Sequence, residues 1–277
     1  MSGPGSPPPA VAVISHDSIA DLRRFLPGQL EAARQASTDL FAVDNASGDG
    51  SADLLREVLG GGPEVIFNSR NRGYAAAVNQ AFAAAPGRDV LILNPDVEVF
   101  GGGALIRLAA ELQRRPAAGA IGPRLLNEDG STQSSARPFP SPLAMAGHSS
   151  AARRSAAARR AAERYLRPPA DDRPSPVDWL LGAAMLVRRE AYESVGGWDE
   201  RFFLYLEDTD FCRRLGRGGW ECWYLPEVTM RHVHARASAP RRGGALLSAA
   251  RRSHIRSAIL FYARYPELIR GAHLAGG

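Results

Sequence analysis

Three stretches decide the fold of this chain: VDNASGDGS (residues 43–51), LILNPDVEV (91–99) and FLYLEDTDF (203–211). In each of them an apolar run leads to carboxylates at the place where a strand is expected to end. In an open α/β sheet, ligands bind in the crevice outside the carboxyl ends of the strands. Buried carboxylates are costly unless they are paired or bound to a metal. The three stretches therefore predict an enzyme with a site for a metal ion and an anionic ligand.

Hydrophobic periodicity over residues 10–121 alternates between two patterns. Short apolar runs predict strands over 10–15, 40–43, 65–67, 90–93 and 118–121. Helical spacing predicts helices over 19–35, 51–58, 73–84 and 105–114. Strands separated by helices of this length indicate βαβ units in a mostly parallel, Rossmann-like sheet.

The pattern changes after Gly122. An Asp-Gly pair at 129–130 predicts the turn of a hairpin over 124–132. Residues 138–176 are rich in alanine, arginine and proline, and they predict a mobile segment with a basic helix over 151–166. The remaining expected elements are an apolar segment over 179–187, a helix over 189–195, an acidic helix start near Glu207, strands over 221–224 and 228–232, and an arginine-rich helix over 246–265.

Charge is distributed unevenly along the 277 residues. The formal net charge is +5, and all 34 basic residues are arginines, which cluster at 153–167 and 241–256. Such a surface suits an anionic partner, for example a phospholipid, a phosphorylated acceptor or a nucleic acid. Because these arginines lack interleaved aromatic residues and lie outside the acidic motifs, we expect no nucleic-acid partner.

The cysteines and the N-terminal residues exclude several classes of protein. Cys212 and Cys222 do not form a zinc-binding pattern, and two cysteines cannot form a disulfide scaffold in a chain of this size. Residues 1–10 lack the features of a signal peptide and predict a disordered lead-in. No stretch approaches the roughly 18 apolar residues that span a bilayer. We therefore expect a cytoplasmic protein that contacts at most the inner surface of a membrane.

Six motifs in order give the chain a family resemblance. They are VDNASGDGS, NSRNRGYAAAVNQAF (68–82), LILNPDVEV, IGPRLLNEDGS (121–131), LLGAAMLVRREAYESVGGWDERFFLYLEDTDFCRRL (180–215) and PEVTMRHVHARAS (226–238). Together with the first strand they cover about residues 11–238. The chain resembles the inverting family 2 glycosyltransferases of the GT-A fold, and within them the rhamnosyltransferase-like branch that builds bacterial polysaccharides. It departs from the family in the first loop, where Ser15-His16-Asp17 stands in place of Thr-Tyr-Asn.

The resemblance implies a fold and a division of the chain. The expected fold is an α/β GT-A fold, in which a Rossmann-like nucleotide-binding sheet is fused to a mixed-sheet acceptor region. Residues 11–123 would form the half that binds the nucleotide sugar, and residues 124–240 the acceptor-binding and catalytic half. Residues 241–277 would form a basic C-terminal helix and tail.

The donor site is expected at the ends of the first strands. Asp44 is placed to accept hydrogen bonds from a base or a ribose, although an Asx turn at Asp44 or Asn45 is an alternative reading. Asn71, Arg72 and Gly73 precede a helix, so their backbone amides and the guanidinium suit a diphosphate, or else form an ordinary helix start. The residues expected to bind the donor are Ser15, Asp44, Asn45, Asn71, Arg72, Gly73, Asn79 and Asn94.

The metal site is expected at Asn94-Pro95-Asp96, which occupies the place of the family's Asp-x-Asp motif. The resemblance assigns Asp96 to a divalent cation, Mg²⁺ or Mn²⁺, that bridges the donor phosphates. His232 follows Pro226 where the family has a histidine that completes this site, and His234 is the alternative. The other reading of Asp96 is a carboxylate that caps the following helix.

The Glu207-Asp208 pair is expected to carry the chemistry. Inverting transfer is a direct displacement, so a base must remove the proton of the acceptor hydroxyl. The resemblance assigns that role to Asp208, and it assigns acceptor contacts to Glu207, Trp198 and Asp199. The alternatives are that the acids are the first turn of a helix, which its dipole favours, and that Trp198 belongs to the core.

The resulting expectation is a metal-dependent inverting glycosyltransferase. It would move a single sugar, with rhamnose as the leading choice, from a nucleoside diphosphate donor to a glycan or lipid-linked acceptor in polysaccharide or cell-wall synthesis. One alternative is an inactive sugar-nucleotide-binding protein, which would have no reason to keep Asp208. Another is a nucleotidyltransferase, which usually needs a glycine-rich basic loop after its first strand, where this chain has residues 15–18. An anionic membrane surface is a further expected partner, through residues 153–167 and Arg251, Arg252 and Arg256.

Overall fold

The computed structural model describes residues 7–62, 64–146, 155–168, 172–233 and 244–269. The first half alternates strands and helices in the order β1 (Ala10–Ser15), α1 (Ile19–Gln35), β2 (Leu40–Asp44), α2 (Ser51–Leu59), β3 (Val65–Phe67), α3 (Tyr74–Ala84), β4 (Val90–Leu93), β5 (Val97–Val99), α4 (Gly102–Arg114) and β6 (Ala118–Leu126). The strands and helices expected for this half are confirmed, and β5 is an additional strand. The hairpin is also confirmed, because Leu126 bridges Thr132 across the turn.

Shorter elements dominate the second half. They are β7 (Ala136–Arg137), α5 (Pro142–Ala146), α6 (Ala156–Tyr165), β8 (Ser175–Val177), β9 (Trp179–Leu180), β10 (Ala184–Val187), α7 (Arg189–Ser194), α8 (Glu207–Arg217), β11 (Glu221–His232) and α9 (Gly244–Arg264). The expected mobile segment contains α5, α6 and β8, and its residues 147–154 and 169–171 lie outside the described ranges. The two strands expected around Pro226 are one strand, because a register shift between Leu225 and Thr229 accommodates the proline.

Nine strands of the described residues form one mixed sheet. Its order is β3-β2-β1-β4-β10-β6-β11-β5, and β8 adds to β11. β3, β2, β1 and β4 are parallel, whereas β10 is antiparallel to both of its neighbours, β4 and β6. The expected boundary at 123/124 falls inside β6, so the two halves of the chain share one sheet. Because the first four strands are parallel, Ser15, Asp44 and Asn94 meet at one edge.

Alternating side chains of the strands form a core on each face of the sheet. Val11 and Val13 face the helices α1 and α4, whereas Ala12 and Ile14 face α3. The buried residues of α3 are mainly alanines, which let this helix approach the sheet closely. The edge with the acidic motifs is thereby held by packing on both faces. None of the helices in the described ranges has the length and apolar character needed to cross a membrane.

Candidate functional site

Asp44 closes the loop that follows β2. Its Oδ1 accepts a hydrogen bond from the Ser47 hydroxyl at 2.6 Å, and its Oδ2 accepts one from the Ser47 amide at 3.0 Å. Asp44 therefore bonds within its own loop, but to the residue three positions on and not two positions on as in the Asx turn of the alternative reading. Ser15 ends the neighbouring strand, and its buried hydroxyl has no hydrogen-bond partner among the described residues. The two side chains lie in register across the strand pair, at the edge where a ligand is expected.

Asn45 fixes the loop that precedes α3. Its Nδ2 donates to Asn71 Oδ1 and to the Gly73 carbonyl, both at 3.0 Å. Its Oδ1 accepts from the Arg72 amide at 2.9 Å and from Asn68 at 3.1 Å. These bonds use both amide protons and both lone pairs of Asn45. Asn45 therefore shapes the loop, and the Arg72 guanidinium, 3.6 Å from Glu200, is a charged group that the loop presents.

Gly73 brings this loop against the segment that leads into α8. Its φ is +87°, and a Cβ atom at this position would lie 2.6 Å from the Phe203 carbonyl oxygen. The Tyr74 amide donates to the same carbonyl at 2.9 Å. Only glycine fits both the backbone angle and the close approach. The expected donor loop and the segment before Glu207 are thus in direct contact.

A hydrogen-bonded chain links the Asn94 motif to Asp208. The Tyr74 hydroxyl lies 3.0 Å from Asn94 Oδ1 and 2.8 Å from the Gly182 carbonyl oxygen, and it can donate to either. The Gly182 amide in turn donates to Asp208 Oδ2 at 3.1 Å. Burial raises the pKa of Tyr74, and the negative charges of Glu207, Asp208 and Asp96 raise it further. The structure therefore brings the Asn94–Asp96 loop and the Glu207-Asp208 pair to one site.

The backbone before α8 is strained. Tyr205 and Leu206 have φ angles of 70° and 65°, which residues other than glycine seldom adopt. Such strain persists only where the surrounding structure enforces it, and it clusters at functional sites. Here it turns Glu207 and Asp208 into the protein, where each is less than 10% exposed.

Burial controls the ionisation of the acidic pair. It raises the pKa of Asp208, while hydrogen bonds from the Gly182 and Thr209 amides lower it, as does the nearby positive charge of Arg137. The pKa of Glu207 is raised well above its usual value by burial and by the neighbouring charge of Asp208. Glu207 Oε2 has no hydrogen-bond partner in the described part of the chain. A carboxylate with a raised pKa is a stronger base, which suits Asp208 for proton abstraction.

Asp96 and His232 face each other at the far end of the edge. Asp96 Oδ1 lies 3.3 Å from His232 Nε2, and the opposite ring nitrogen lies 2.8 Å from Gln133 Oε1. The pairing of His232 with Val97 across β11 and β5 sets this approach. Asp96 Oδ1 is buried and has no hydrogen-bond partner among the residues that the structure describes. His234, the alternative to His232, lies outside those residues.

This pair fits a cation that is held largely by its substrate. A carboxylate oxygen and an imidazole nitrogen are both ligands of Mn²⁺, and Mg²⁺ binds through one or two carboxylates, water and substrate phosphates. The described residues contain no group of three or more His, Cys, Asp and Glu side chains arranged to hold a metal. Two protein ligands beside a diphosphate are consistent with that finding.

Asn79 and Trp198 have structural contacts in place of the expected ligand contacts. Asn79 Oδ1 accepts from the Trp198 amide and the Tyr192 hydroxyl, and its Nδ2 donates to the Trp198 carbonyl and to Glu200. The amide of Asn79 is therefore fully used. The Trp198 ring is 2% exposed and stacks on Phe211 with ring centroids 5.0 Å apart. The core alternative for Trp198 is the one that the structure supports.

Two further acids connect the site to the C-terminal helix. Asp199 is paired with Arg201 and Arg264, and the hydrogen bond from Arg201 contributes most to lowering its pKa to about 2. Asp210 is fully buried and accepts hydrogen bonds from Arg214, Arg264 and the Tyr265 hydroxyl, at 2.7–2.9 Å. Asp210 holds α8 to α9, and Asp199 holds the turn before α8 to α9, so both have few lone pairs left for an acceptor.

Arg137 lies close enough for its charge to act on Asp208, and the motifs did not indicate it. Its guanidinium carbon lies 5.4 Å and 5.2 Å from the ring centroids of Tyr165 and Trp179. Its Nε donates to the Ser134 carbonyl at 2.6 Å, and its charge acts on Asp208. β7, which carries Arg137, pairs with β9 two residues before Gly182. An arginine that lies over two aromatic rings, with a charge that acts on Asp208, is suited to an anionic ligand. Its position after QSSA in the chain gave no local signal for this role.

Comparisons with known proteins agree with this geometry. The family described as "Glycosyltransferase like family 2" matches residues 7–257. A curated relative, N-acetylglucosaminyl-diphospho-decaprenol L-rhamnosyltransferase of Mycobacterium tuberculosis, is 34% identical over 241 residues, covering 82% of this chain and 76% of the relative. Rhamnosyltransferase WbbL of Escherichia coli is 36% identical over 88 residues, or 32% of this chain and 31% of the relative.

Solved structures share the fold. A mannosyltransferase from Pyrobaculum calidifontis, in complex with GDP-Man and Mn²⁺, aligns over 94% of this chain with a TM-score of 0.59 and 18% identity. GalNAc-T7, with UDP, GalNAc and Mn²⁺, aligns over 94% with a TM-score of 0.58 and 16% identity. This chain spans 65% and 50% of those two chains. Both are GT-A glycosyltransferases, so the expected fold is confirmed.

Proposed function

Because this chain belongs to glycosyltransferase family 2, we propose that it transfers a single rhamnosyl residue, with inversion, from a nucleoside diphosphate donor to a lipid-linked N-acetylglucosamine acceptor. Its membership of the family makes it a glycosyltransferase with the GT-A fold. The sugar and the acceptor are proposed from the mycobacterial relative, of which this chain covers 76%. The observation that carries the proposal is the hydrogen-bonded chain from Asn94 through Tyr74 and Gly182 to Asp208.

Asp208 is the proposed base. The acceptor hydroxyl oxygen attacks the anomeric carbon of the donor and forms the new glycosidic bond. The bond from that carbon to the diphosphate oxygen breaks, and the nucleoside diphosphate leaves with the electron pair. The hydroxyl proton passes to the Asp208 carboxylate, whose raised pKa favours the transfer. Attack on the face opposite the leaving group inverts the anomeric configuration.

The donor would lie along the edge formed by β1, β2 and β4. The Ser15 hydroxyl and the loop of Asp44 are available to the nucleoside, and the Arg72 guanidinium to the diphosphate. Asn45, Asn71 and Gly73 would hold the loop that presents Arg72. Asn94 would orient Tyr74 above the sugar.

Asp96 and His232 would hold the divalent cation. When bound, Mg²⁺ or Mn²⁺ neutralises the charge that develops on the leaving diphosphate. The buried Asp96 Oδ1 supports this role, because its hydrogen-bonding capacity is not used by the described residues. The fold neighbours that carry Mn²⁺ also support a divalent cation.

The acceptor would enter from the side of Glu207 and Arg137. The Tyr165 and Trp179 rings, whose centroids lie 6.4 Å apart, are buried and support the Arg137 guanidinium. Arg137, fixed by Ser134, offers a cation for an acceptor diphosphate. Because Trp198 is buried, we propose Arg137 in its place as an acceptor contact.

A transfer assay tests the proposal. The purified chain is incubated with Mn²⁺, a panel of nucleoside diphosphate rhamnoses and a polyprenyl-diphosphate N-acetylglucosamine. We expect a rhamnosylated lipid of inverted anomeric configuration and stoichiometric release of nucleoside diphosphate. Donor binding without transfer to the acceptor, across the whole panel, would favour the inactive sugar-nucleotide-binding alternative. In a parallel incubation of the donors with inorganic diphosphate, formation of nucleoside triphosphate and rhamnose 1-phosphate would favour a nucleotidyltransferase.

A further inference from the structure

One side of α9 exposes large apolar side chains between arginines. Ile255 is 51% exposed and Ile259 is 67% exposed, and their spacing of four residues puts them on the same side of the helix. Arg251, Arg252 and Arg256 are exposed at the neighbouring positions of the same side. Scattered apolar residues on a surface are ordinary, but this pair forms a short exposed apolar strip with cations on both sides, which suits an anionic membrane surface.

The opposite side of α9 fixes the helix to the protein. The hydroxyls of Ser253 and Ser257 donate to the Leu204 carbonyl at 3.3 Å and 2.9 Å. Phe261 and Tyr265 are fully buried in the core. The core contacts of α9 therefore do not require the two isoleucines, and the face that they form has a fixed orientation.

This orientation is coupled to the base. Leu204 lies four residues before Asp208, and Tyr265 and Arg264 bind Asp210, two residues after it. A surface that receives the exposed side of α9 is therefore held at a set position relative to Asp208. An acceptor that a lipid anchors in that surface would therefore be held close to Asp208.

We propose that the α9 docking face, formed by Ile255, Ile259, Arg251, Arg252 and Arg256, binds an anionic phospholipid bilayer. The isoleucines would enter the boundary between headgroups and acyl chains, while the arginines contact lipid phosphates. The functional link between this face and Asp208 rests on the proposed lipid-linked acceptor, whereas the binding of the bilayer to α9 does not.

Charge favours a bilayer over a second copy of the chain. A twofold contact brings the same patch of both subunits together, so it would gather the three arginines of each copy into one interface. Such a like-charge contact is unfavourable, and three charges facing anionic lipid are attractive. The Arg-rich residues 153–154 and 241–243 lie outside the described ranges and are not needed for this face.

Vesicle sedimentation of the full chain tests the proposal. Vesicles of phosphatidylglycerol and phosphatidylcholine in equal amounts are compared with vesicles of phosphatidylcholine alone. We expect preferential binding to the anionic vesicles that weakens with salt. The double substitution Ile255→Ser with Ile259→Ser is expected to weaken binding at least about tenfold. Arg251→Gln with Arg256→Gln is expected to weaken it by about fivefold per charge removed.

The controls separate docking from folding and from the transfer reaction. Ile106, which is 54% exposed, and Arg107 lie on α4, so Ile106→Ser with Arg107→Gln changes the same residue types away from the face. We expect this control to bind like the wild type. The α9 variants should keep their melting temperature and their activity on a short-chain, water-soluble acceptor, and lose activity on an acceptor embedded in vesicles.

Three results would overturn the proposal. They are no preference of the wild type for anionic vesicles at low salt, equal binding by the isoleucine variant, and a change from dimer to monomer in that variant with lipid binding intact. The last result would assign the face to a second copy. Failure of rhamnosyl transfer with intact vesicle binding would instead count against the proposed function alone.

Discussion

His232 Nε2 lies 3.3 Å from Asp96 Oδ1, across the antiparallel pairing of β11 with β5. The two residues are far apart in the chain, and a nine-stranded sheet that runs through both halves brings them together. The carboxylate oxygen is buried, and the described residues leave it without a hydrogen bond. A divalent cation would satisfy it and would lie beside the site expected for the donor diphosphate.

Asp96→Ala is expected to abolish the dependence of transfer on a divalent cation, together with most of the activity. Asp96 lies in the loop after β4, so we expect the variant to keep its fold. Two measurements check these effects. They are the transfer activity as a function of Mn²⁺ concentration, and a titration of the protein with Mn²⁺ in a binding assay. Asp53→Ala, at a side chain that is 86% exposed on α2, is the control. Turnover close to wild type with an unchanged metal requirement would remove Asp96 from the metal site.

Arg137→Gln is expected to shift the acid limb of the pH profile of kcat/KM to higher pH. Asp208 must be ionised to act as a base, so activity is lost as the pH falls through its pKa. Burial raises that pKa, and the charge of Arg137 lowers it, so the loss of this charge leaves the pKa higher still. Arg137→Lys keeps the charge and should shift the limb less. An acid limb that is identical in the wild type and in Arg137→Gln would show that Arg137 does not act on the base.

Glu207→Gln is expected to raise the melting temperature at pH 7, and to change it little at pH 4. Burial and the charge of Asp208 raise the pKa of Glu207 in the folded chain, so the fold loses stability as the pH rises above the ordinary value of 4.5. An uncharged amide avoids this loss. A gain of about 1 kcal/mol corresponds to roughly 2–4 °C in a chain of this size. An unchanged or lower melting temperature at pH 7 would contradict the destabilising effect assigned to the buried charge.

Gly73→Ala is expected to lower both stability and turnover. The Cβ atom would meet the Phe203 carbonyl oxygen at 2.6 Å, and φ is +87°, so the loop must move away from the segment before Glu207. The strain is of the order of 1–3 kcal/mol. Gly28→Ala, in α1 with no atom within 4 Å of the new methyl group, is the control and should be neutral or stabilising. Thermal unfolding and steady-state kinetics of both variants measure the effect, and equal behaviour would show that the contact is dispensable.

The sequence predicted the sheet edge and its acids well, because short apolar strands of three to six residues bounded by turn residues have a distinct local pattern. β1, β3 and β4 have the predicted limits, and the acids follow the strands as expected. The register shift that lets β11 continue through Pro226 depends on its partner β6, which local pattern does not reveal. The short strand β5 likewise depends on its pairing with β11.

The roles of single side chains were harder to predict than their positions. Asn79 lies where the helix pattern puts it, yet all of its hydrogen bonds hold the turn at Trp198 and its neighbours. Tyr74 and Arg137 could be identified as candidate site residues only from contacts with residues distant in the sequence. Tyr74 contacts Gly182, and Arg137 contacts Tyr165 and Trp179. Tertiary geometry decides which hydrogen-bond partners a polar side chain has, and the residue type alone is compatible with several.

Asp208→Asn is the most direct test of the central claim, that Asp208 removes the proton of the acceptor. The amide is nearly the same size and keeps an oxygen that can accept from Gly182 or Thr209. We predict unchanged affinity for the nucleotide sugar, a melting temperature that does not fall, and a loss of turnover of about 10²–10⁴-fold, the contribution of a positioned base. Turnover equal to wild type, with the same donor affinity, would contradict the claim and would reduce Asp208 to an acid at the first turn of α8.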